Sequence, residues 1–171
     1  MRVLVAVASK HGGTRGIAEA IAEELRAAGP AVDLREAGEV GDLAGYDAVV
    51  LGSAIYAGTW LQEARQFAER HHAELSRLPV WLFSSGPLGA PDPQPHDDPD
   101  KLAAPLGDVA ARDHRVFAGK LDPADLSFGE RLIAKVVRAP SGDFRDWDAM
   151  RAWAHEIGAA LAESRTAAAG G

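Results

Sequence analysis

The sequence contains no cysteine, so it forms no disulfide, offers no thiolate nucleophile and cannot ligate an iron–sulfur cluster through its own thiols. Any redox chemistry would therefore depend on a bound cofactor. Basic residues are also in the minority, because 18 Lys and Arg stand against 25 Asp and Glu, a net charge of −7. Proteins that bind nucleic acids present a basic face to the phosphates, so this charge argues against a nucleic-acid partner.

Long hydrophobic runs are absent as well. No apolar segment approaches the about 18–20 residues that span a bilayer, and the N-terminus has the pattern of a strand rather than of a signal peptide. We therefore expect a cytoplasmic protein. The 171 residues, 47% hydrophobic and 25% charged, predict one globular domain over 1–165 and a flexible tail over 166–171.

Strand patterns alternate with helix patterns throughout, which predicts an α/β domain with a parallel sheet. The second strand mixes apolar and charged residues and should lie at an edge, whereas the third is wholly apolar and should be central. These features favour an open, doubly wound, five-stranded parallel sheet of order 2-1-3-4-5 over the six-stranded dinucleotide-binding order. The predicted strands are 3–8, 31–35, 48–51, 80–83 and 115–118.

Helices are predicted at 16–28, 61–75 and 147–163, the last with Asp146 as its N-cap. A further helix over 100–111 contains Pro105, so it either kinks or starts late. The two neighbouring histidines at 71 and 72 are expected on a solvated helix face rather than at a metal site. The predicted buried side chains of the three helices are Ile17, Ile21, Ala22, Leu25, Leu61, Ala64, Phe67, Ala68, Leu75, Met150, Trp153, Ala154, Ile157 and Leu161.

The loop between the first strand and the first helix has the composition of an anion site. The start of a helix carries free N–H groups and the positive end of the helix dipole, and small residues allow a phosphate to approach them. Lys10 and His11 either add charge or point to water. The predicted phosphate-binding residues are Ser9, Lys10, His11, Gly12, Gly13 and Thr14.

Two further loops follow strands three and four, and in an open α/β sheet they should converge on the first loop. The second carries aromatic side chains that can stack on a flat ring, although Trp60 either contacts a ligand or packs under the next helix. The third either lines the other side of the ring or only forms a turn. Their candidate binding residues are Ser53, Ala54, Ile55, Tyr56, Ala57, Gly58, Ser84, Ser85, Gly86 and Pro87.

Rival phosphate-binding classes lack their motifs here. No G-x-G-x-x-G follows the first strand and no G-x-x-x-x-G-K-[ST] occurs, which argues against a dinucleotide fold and a P-loop. A phospho-receiver domain needs an acidic cluster where this chain has Ser9 and Lys10. No G-x-S-x-G nucleophile motif follows a strand. Neither a catalytic acid or base nor a metal ligand is predicted.

The S-K-H-G-G-T loop resembles the [ST]-x-[TD]-G-x-T phosphate loop of the flavodoxin family. This resemblance implies flavin mononucleotide (FMN) as cofactor, with its phosphate on the first loop and its ring between the second and third. Nearly the whole chain is more closely similar to the flavodoxin-like, menaquinone-dependent protoporphyrinogen oxidases. The stretches that carry this similarity are 50–71, 116–122 and 128–157.

The closer resemblance includes an insert of about 122–143 between the fifth strand and the last helix. Its segment 128–139 is amphipathic and basic, so it either lies on a membrane surface or over a quinone groove, or packs on the domain. Those oxidases carry Arg, Tyr and His in the second loop, where this chain has Tyr56, Ala57 and Thr59. The resemblance therefore supports the cofactor more strongly than the porphyrinogen substrate.

We thus expect an FMN-binding oxidoreductase or electron-transfer protein whose redox partner is a protein or a quinone. It is expected either free in the cytoplasm or peripheral at the inner face of the membrane. Two alternatives remain, namely a protoporphyrinogen oxidase proper and a flavodoxin-fold module that only binds. The oligomeric state is not predicted.

Overall fold

The computed structural model describes residues 1–56, 58–86, 104–122, 124–128, 130–131 and 142–169. The helices are α1 (Gly13–Ala27), α2 (Gln62–Arg70), α3 (His72–Leu75) and α4 (Trp147–Ala169), with 3-10 turns at Ala37–Glu39 and Ala104–Leu106. The strands are β1 (Arg2–Ala8), β2 (Ala31–Glu36), β3 (Ala48–Tyr56), β4 (Thr59–Trp60), β5 (Val80–Ser85), β6 (Asp113–Phe117), β7 (Lys120–Leu121) and β8 (Gly142–Asp143).

The main sheet has five parallel strands in the order β2-β1-β3-β5-β6, and the short strand β4 pairs antiparallel with β3. When β4 is left out of the numbering, this is the predicted order 2-1-3-4-5, and β2 lies at the predicted edge. Ala8 pairs with Ser53, and Ser53 with Ser84, so three strands end side by side. Strands β7 and β8 form a separate antiparallel pair.

Side chains from both faces of the sheet are buried, as parallel strands between helix layers require. Along β1, Val3, Val5 and Val7 face α1 and α4, whereas Leu4, Ala6 and Ala8 face the layer that contains α2. The predicted inner faces of α1 and α4 are confirmed, because each of their nine side chains is at most 2% exposed. Asp146 also caps α4 as predicted, since its Oδ1 accepts the Ala149 N–H at 3.0 Å.

The predicted helix over 61–75 is wrong at one point, because α2 ends at Arg70 and α3 begins at His72. The residue between them, His71, has φ −106° and ψ 18° and turns its ring against Phe67 at 4.9 Å. His71 is therefore buried and does not lie on a solvated face. His72 pairs instead with Asp108 at 2.7 Å. Within the described ranges, no group of three or more acidic or histidine side chains is placed to hold a metal.

Several element ends differ from the sequence-based prediction. Strand β3 continues to Tyr56 because β4 folds back on it, so Ser53 to Tyr56 are strand residues rather than loop residues. Strand β5 likewise extends to Ser85. Helix α4 continues to Ala169, into the segment predicted as a tail. Of the helix predicted over 100–111, the described part contains only the turn at Ala104–Leu106.

Candidate functional site

The loop from β1 to α1 leaves the start of the helix open. Gly12, with φ +77°, lies in the left-handed region that suits glycine, and no described side chain caps α1. An additional Cβ at Gly12 would meet no atom within 4 Å. The first N–H groups of α1, which have no partner inside the helix, therefore face an accessible loop.

Two hydroxyl groups lie at this helix start. Ser9 Oγ is buried and has no hydrogen-bond partner among the described residues, and Thr14 is only 3% exposed. A buried hydroxyl without a partner is energetically costly, and a ligand with acceptor oxygens would satisfy it. The loop predicted to bind a phosphate thus has unused donors and space, which fits a phosphate group.

Lys10 and His11 both turn to Glu130, and the Lys10 side chain stays 41% exposed. The Lys10 ammonium donates to Glu130 Oε1, and His11 Nε2 lies 3.4 Å from the same oxygen. The ammonium also lies 4.1 Å from the ring centre of Tyr56, in a cation–π contact. The hydrogen bond to Glu130 raises the pKa of Lys10, and the neighbouring Tyr56 phenol adds to this effect.

Glu130 belongs to the insert, and local hydrogen bonds fix its carboxylate. Its Oε2 accepts the Ser127 N–H at 2.9 Å, and its own N–H points to Ser127 Oγ at 3.4 Å, the arrangement of a capping box. The hydrogen bond from Lys10, followed by those from Ser127, holds the pKa of Glu130 far below its usual range. A fixed negative charge of the insert therefore lies beside the phosphate loop.

The second predicted loop is largely a β-hairpin. Its Ser53 hydroxyl accepts the Leu61 N–H at 3.0 Å and donates to the Ala54 carbonyl at 2.8 Å. The hydroxyl proton of Ser53 is therefore engaged within the protein. Tyr56 is 44% exposed at the end of β3, and Gly58 makes the turn with φ +75°. Ala57 lies outside the described residues. Tyr56 is thus the aromatic side chain of this hairpin that is open to a ligand.

The Trp60 side chain packs in the core, which decides between the two alternatives left by the sequence. It is 1% exposed, and its indole N–H donates to Ser84 Oγ at 2.8 Å. The same hydroxyl lies 2.8 Å from His114 Nε2 on β6. The Ser84 side chain is therefore buried in a network beneath the candidate site, where it supports β3 and β5 from within.

The third loop begins with Ser85 and Gly86. Gly86 has φ +116°, and its N–H donates to the Phe117 carbonyl at 3.0 Å. A Cβ on Gly86 would lie 3.7 Å from Ile55 Cβ, which places the second and third loops in contact. Pro87 lies outside the described residues. The carboxyl ends of β1, β3 and β5 therefore meet at one edge of the sheet, as predicted.

A family comparison agrees with this geometry. Residues 4–148 match the model of the Flavodoxin domain. The chain belongs to the flavodoxin domain family. Its curated relatives include protoporphyrinogen IX dehydrogenase [quinone] of Escherichia coli K12, which is 26% identical over 172 residues, covering 92% of this chain and 94% of that protein.

Solved structures show the same fold as this flavodoxin-family chain. A flavodoxin from the domain Archaea superposes with a TM-score of 0.57 at 21% identity, over 81% of this chain and 99% of that one. Rubredoxin:oxygen oxidoreductase of Desulfovibrio gigas gives a TM-score of 0.64 at 17% identity, over 95% of this chain and 36% of that one. At these identities the likeness establishes the fold alone.

Three side chains near the candidate site were not predicted from the sequence, namely His114, Glu130 and Arg145. Each contacts a candidate residue far away in the sequence: Arg145 Nη1 lies 3.4 Å from the Gly13 carbonyl oxygen, 132 residues apart. Glu130 at the start of a helical turn carried a signal, since S-x-x-E is a capping-box pattern. That pattern predicts a helix start but not the partner of its carboxylate.

Proposed function

We propose that this chain binds FMN and acts as an oxidoreductase or electron-transfer protein. The observation that carries the proposal is the loop before the uncapped start of α1, in which the buried Ser9 hydroxyl has no hydrogen-bond partner among the described residues. Membership of the flavodoxin domain family supports it further. The phosphate would rest on Ser9–Thr14 and the ring at the edge where β3 and β5 end.

The residues present fit the two ends of such a cofactor. The N–H groups at the start of α1, with Ser9 and Thr14, would donate hydrogen bonds to phosphate oxygens. Tyr56, half exposed beside the open edge, would stack on the ring. The bound flavin would supply the electron- or hydride-transfer chemistry. The residues named above would bind and orient the flavin. Because Gly86 has no side chain, the backbone at this position could approach the ring.

A quinone is the electron acceptor that the comparisons favour. The Escherichia coli relative is a protoporphyrinogen IX dehydrogenase [quinone], and its alignment spans 92% of this chain. This length of alignment supports a second candidate function, the oxidation of a porphyrinogen. This chain has Tyr56, Ala57 and Thr59 where those oxidases carry Arg, Tyr and His. These differences weigh against a porphyrinogen substrate, because fewer cations would face its propionate groups.

The insert is the part of the chain that we propose for contact with a membrane or a redox partner. Phe128 on it is 86% exposed, which is unusual for a large aromatic side chain. Most of the amphipathic segment 128–139, to which Phe128 belongs, lies outside the described residues. Among the described helices, none combines the length and apolarity needed to cross a membrane. The net charge of −7 would favour a basic docking partner.

Titration of the purified protein with FMN and with riboflavin tests the cofactor. We expect tight FMN binding, seen as quenched flavin fluorescence, and riboflavin binding at least about tenfold weaker, because riboflavin lacks the phosphate. Ser9→Ala should weaken FMN binding several-fold, and Thr14→Asp should abolish it through charge repulsion. Ser76→Ala, which removes an exposed hydroxyl that donates to the His72 carbonyl, is the control. Equal affinity for FMN and riboflavin would contradict the phosphate site.

An anaerobic assay separates the activities. If the chain is a porphyrinogen oxidase, protoporphyrinogen should reduce the bound flavin and menaquinone should reoxidise it. Flavin that is reduced only by a protein donor indicates an electron carrier instead. Flavin that binds but accepts electrons from no donor indicates a module that only binds, and this outcome would remove the redox proposal.

A further inference from the structure

Arg145 packs its guanidinium on the first turn of α1. Nη1 lies 3.4 Å from the Gly13 carbonyl oxygen, and the group stacks 4.5 Å from the ring centre of Trp147. On its other side it donates to both carboxylate oxygens of Asp143, through Nε at 2.7 Å and through Nη2. With its side chain only 14% exposed, Arg145 is held in a single position against the helix.

Two glycines of α1 make this close approach possible. A Cβ on Gly16 would lie 2.6 Å from Arg145 Nη1, and a Cβ on Gly13 would lie 3.4 Å from Lys120 Cβ. Lys120 and Arg145 belong to the segments that begin and end the insert. We call these segments, Lys120–Leu121 and 142–145, the insert base. Their backbones pair as the strands β7 and β8, and next to this pair the Phe144 N–H donates to the Gly119 carbonyl at 3.1 Å.

The charge of Arg145 has the wrong sign for its position. A helix start is the positive end of the helix dipole, so a cation there is unfavourable unless an anion is near. Peptide geometry places Nη1 within about 6 Å of the Thr14 amide nitrogen, since it lies 3.4 Å from the Gly13 oxygen. Asp143 neutralises part of this charge. A phosphate on the loop would compensate the rest.

We propose that Arg145 is a positioning residue of the cofactor site: it fixes the first turn of α1 and adds positive potential where the phosphate of FMN binds. The insert base then belongs to the cofactor site, in addition to connecting the insert to the domain. This inference rests on the proposed function. Since Arg145 touches Gly13 and Gly16 rather than a phosphate-binding hydroxyl, it acts through the helix start and through its charge.

The substitutions Arg145→Ala, Gly16→Ala and Asp143→Asn, with the double variant Arg145→Ala/Gly16→Ala, test it. Arg145→Ala should weaken FMN binding about tenfold and riboflavin binding less than twofold, because riboflavin has no phosphate. Gly16→Ala should weaken FMN binding to a similar extent by displacing the guanidinium, and it should cause no further loss once Arg145→Ala is present. Asp143→Asn should tighten FMN binding several-fold because it leaves the cation uncompensated.

Arg151→Ala is the matched control for the change of charge. Arg151 pairs with Glu24, about 16 Å along α1 from Gly13, so its loss should leave FMN affinity unchanged. The free energy of unfolding, measured for each apoprotein, shows which variants fold. Arg145→Lys is a further variant that keeps the positive charge and changes the side chain less. That variant should retain most of the preference for FMN over riboflavin.

Two outcomes would overturn the inference while leaving the proposed function intact. One is an Arg145→Ala variant that loses FMN and riboflavin affinity equally, which would indicate a purely structural role. The other is an Asp143→Asn variant that weakens FMN binding. If the wild-type protein itself showed no preference for FMN over riboflavin, the proposed function would fail first, and the inference with it.

Discussion

The indole N–H of Trp60 donates a hydrogen bond of 2.8 Å to the hydroxyl oxygen of Ser84, in a position where both side chains are at most 1% exposed. His114 Nε2 lies 2.8 Å from the same oxygen. One hydroxyl therefore links the hairpin strand β4, the central strand β5 and the edge strand β6. This link lies directly beneath the edge at which the ring of a flavin would bind.

Ser84→Ala should destabilise the protein by about 1–3 kcal/mol, because it leaves a buried indole N–H without its acceptor. Urea denaturation of the apoprotein measures this cost. Ser76→Ala is the control, since in the described part of the chain its exposed hydroxyl bonds only to the His72 carbonyl, and we expect a change within about 0.5 kcal/mol. Equal stability of Ser84→Ala and the wild type would show that the buried bond contributes nothing.

Gly52 on β3 leaves room for the ring of Phe83 on the neighbouring strand. A Cβ at Gly52 would come within 2.0–2.4 Å of the ring atoms Cζ, Cε1 and Cε2. Gly52→Ala should therefore cost about 3 kcal/mol or more, the upper range for overpacking a core. Circular dichroism during urea denaturation would measure the loss and show whether the variant folds.

The second substitution Phe83→Leu should rescue Gly52→Ala, because leucine lacks the three ring atoms that collide. Phe83→Leu alone should cost about 1 kcal/mol, and adding Gly52→Ala to it should cost less than about 1 kcal/mol more. If the two costs were simply additive, the collision would not be the cause.

The sequence predicted those features that depend on neighbours along the chain. The buried face of α1 follows from apolar residues at helical spacing, and Ser9–Thr14 is a contiguous segment that joins a buried strand to this helix. Glu130 beside Lys10 and Arg145 beside Gly13 were not predictable, because 120 and 132 residues separate these partners. Their pairing depends on how the insert folds back, which local periodicity does not encode. Likewise, the position of Trp60 in the core depends on the pairing of β4 with β3, which local periodicity does not encode.

Asp113 should make the protein sensitive to acid. Burial alone would raise the pKa of its carboxyl, but hydrogen bonds from Arg115 and Trp153 lower that pKa below its usual value. A carboxyl with a lowered folded-state pKa stabilises the protein above its unfolded pKa of about 3.9, and this contribution is lost as the pH falls below it. Wild-type stability should therefore decrease on acidification.

Asp113→Asn should remove this part of the pH dependence. Urea denaturation at pH 6.5 should find the variant less stable than the wild type, and the difference should shrink at about pH 3. Glu163→Gln, which changes the same charge at an exposed position of α4, is the control and should follow the wild type. A difference that stayed constant with pH would show that the carboxylate charge plays no part.

Glu130 should weaken FMN binding in the wild-type protein. Its carboxylate lies beside the phosphate loop and occupies Lys10, whose ammonium would otherwise be free to approach a phosphate. Glu130→Gln removes the negative charge and keeps the size of the side chain, so we expect FMN to bind several-fold more tightly and riboflavin to bind unchanged. Fluorescence titration at low salt measures both affinities.

The dependence on salt distinguishes this charge effect from a rearrangement of the insert. The advantage of Glu130→Gln should shrink as ionic strength rises, because screening weakens the repulsion between carboxylate and phosphate. Glu163→Gln again serves as the control, since its carboxylate lies on α4 and not on the insert. If Glu130→Gln tightened riboflavin binding as much as FMN binding, or weakened both, the carboxylate would act by holding the insert in place rather than by its charge.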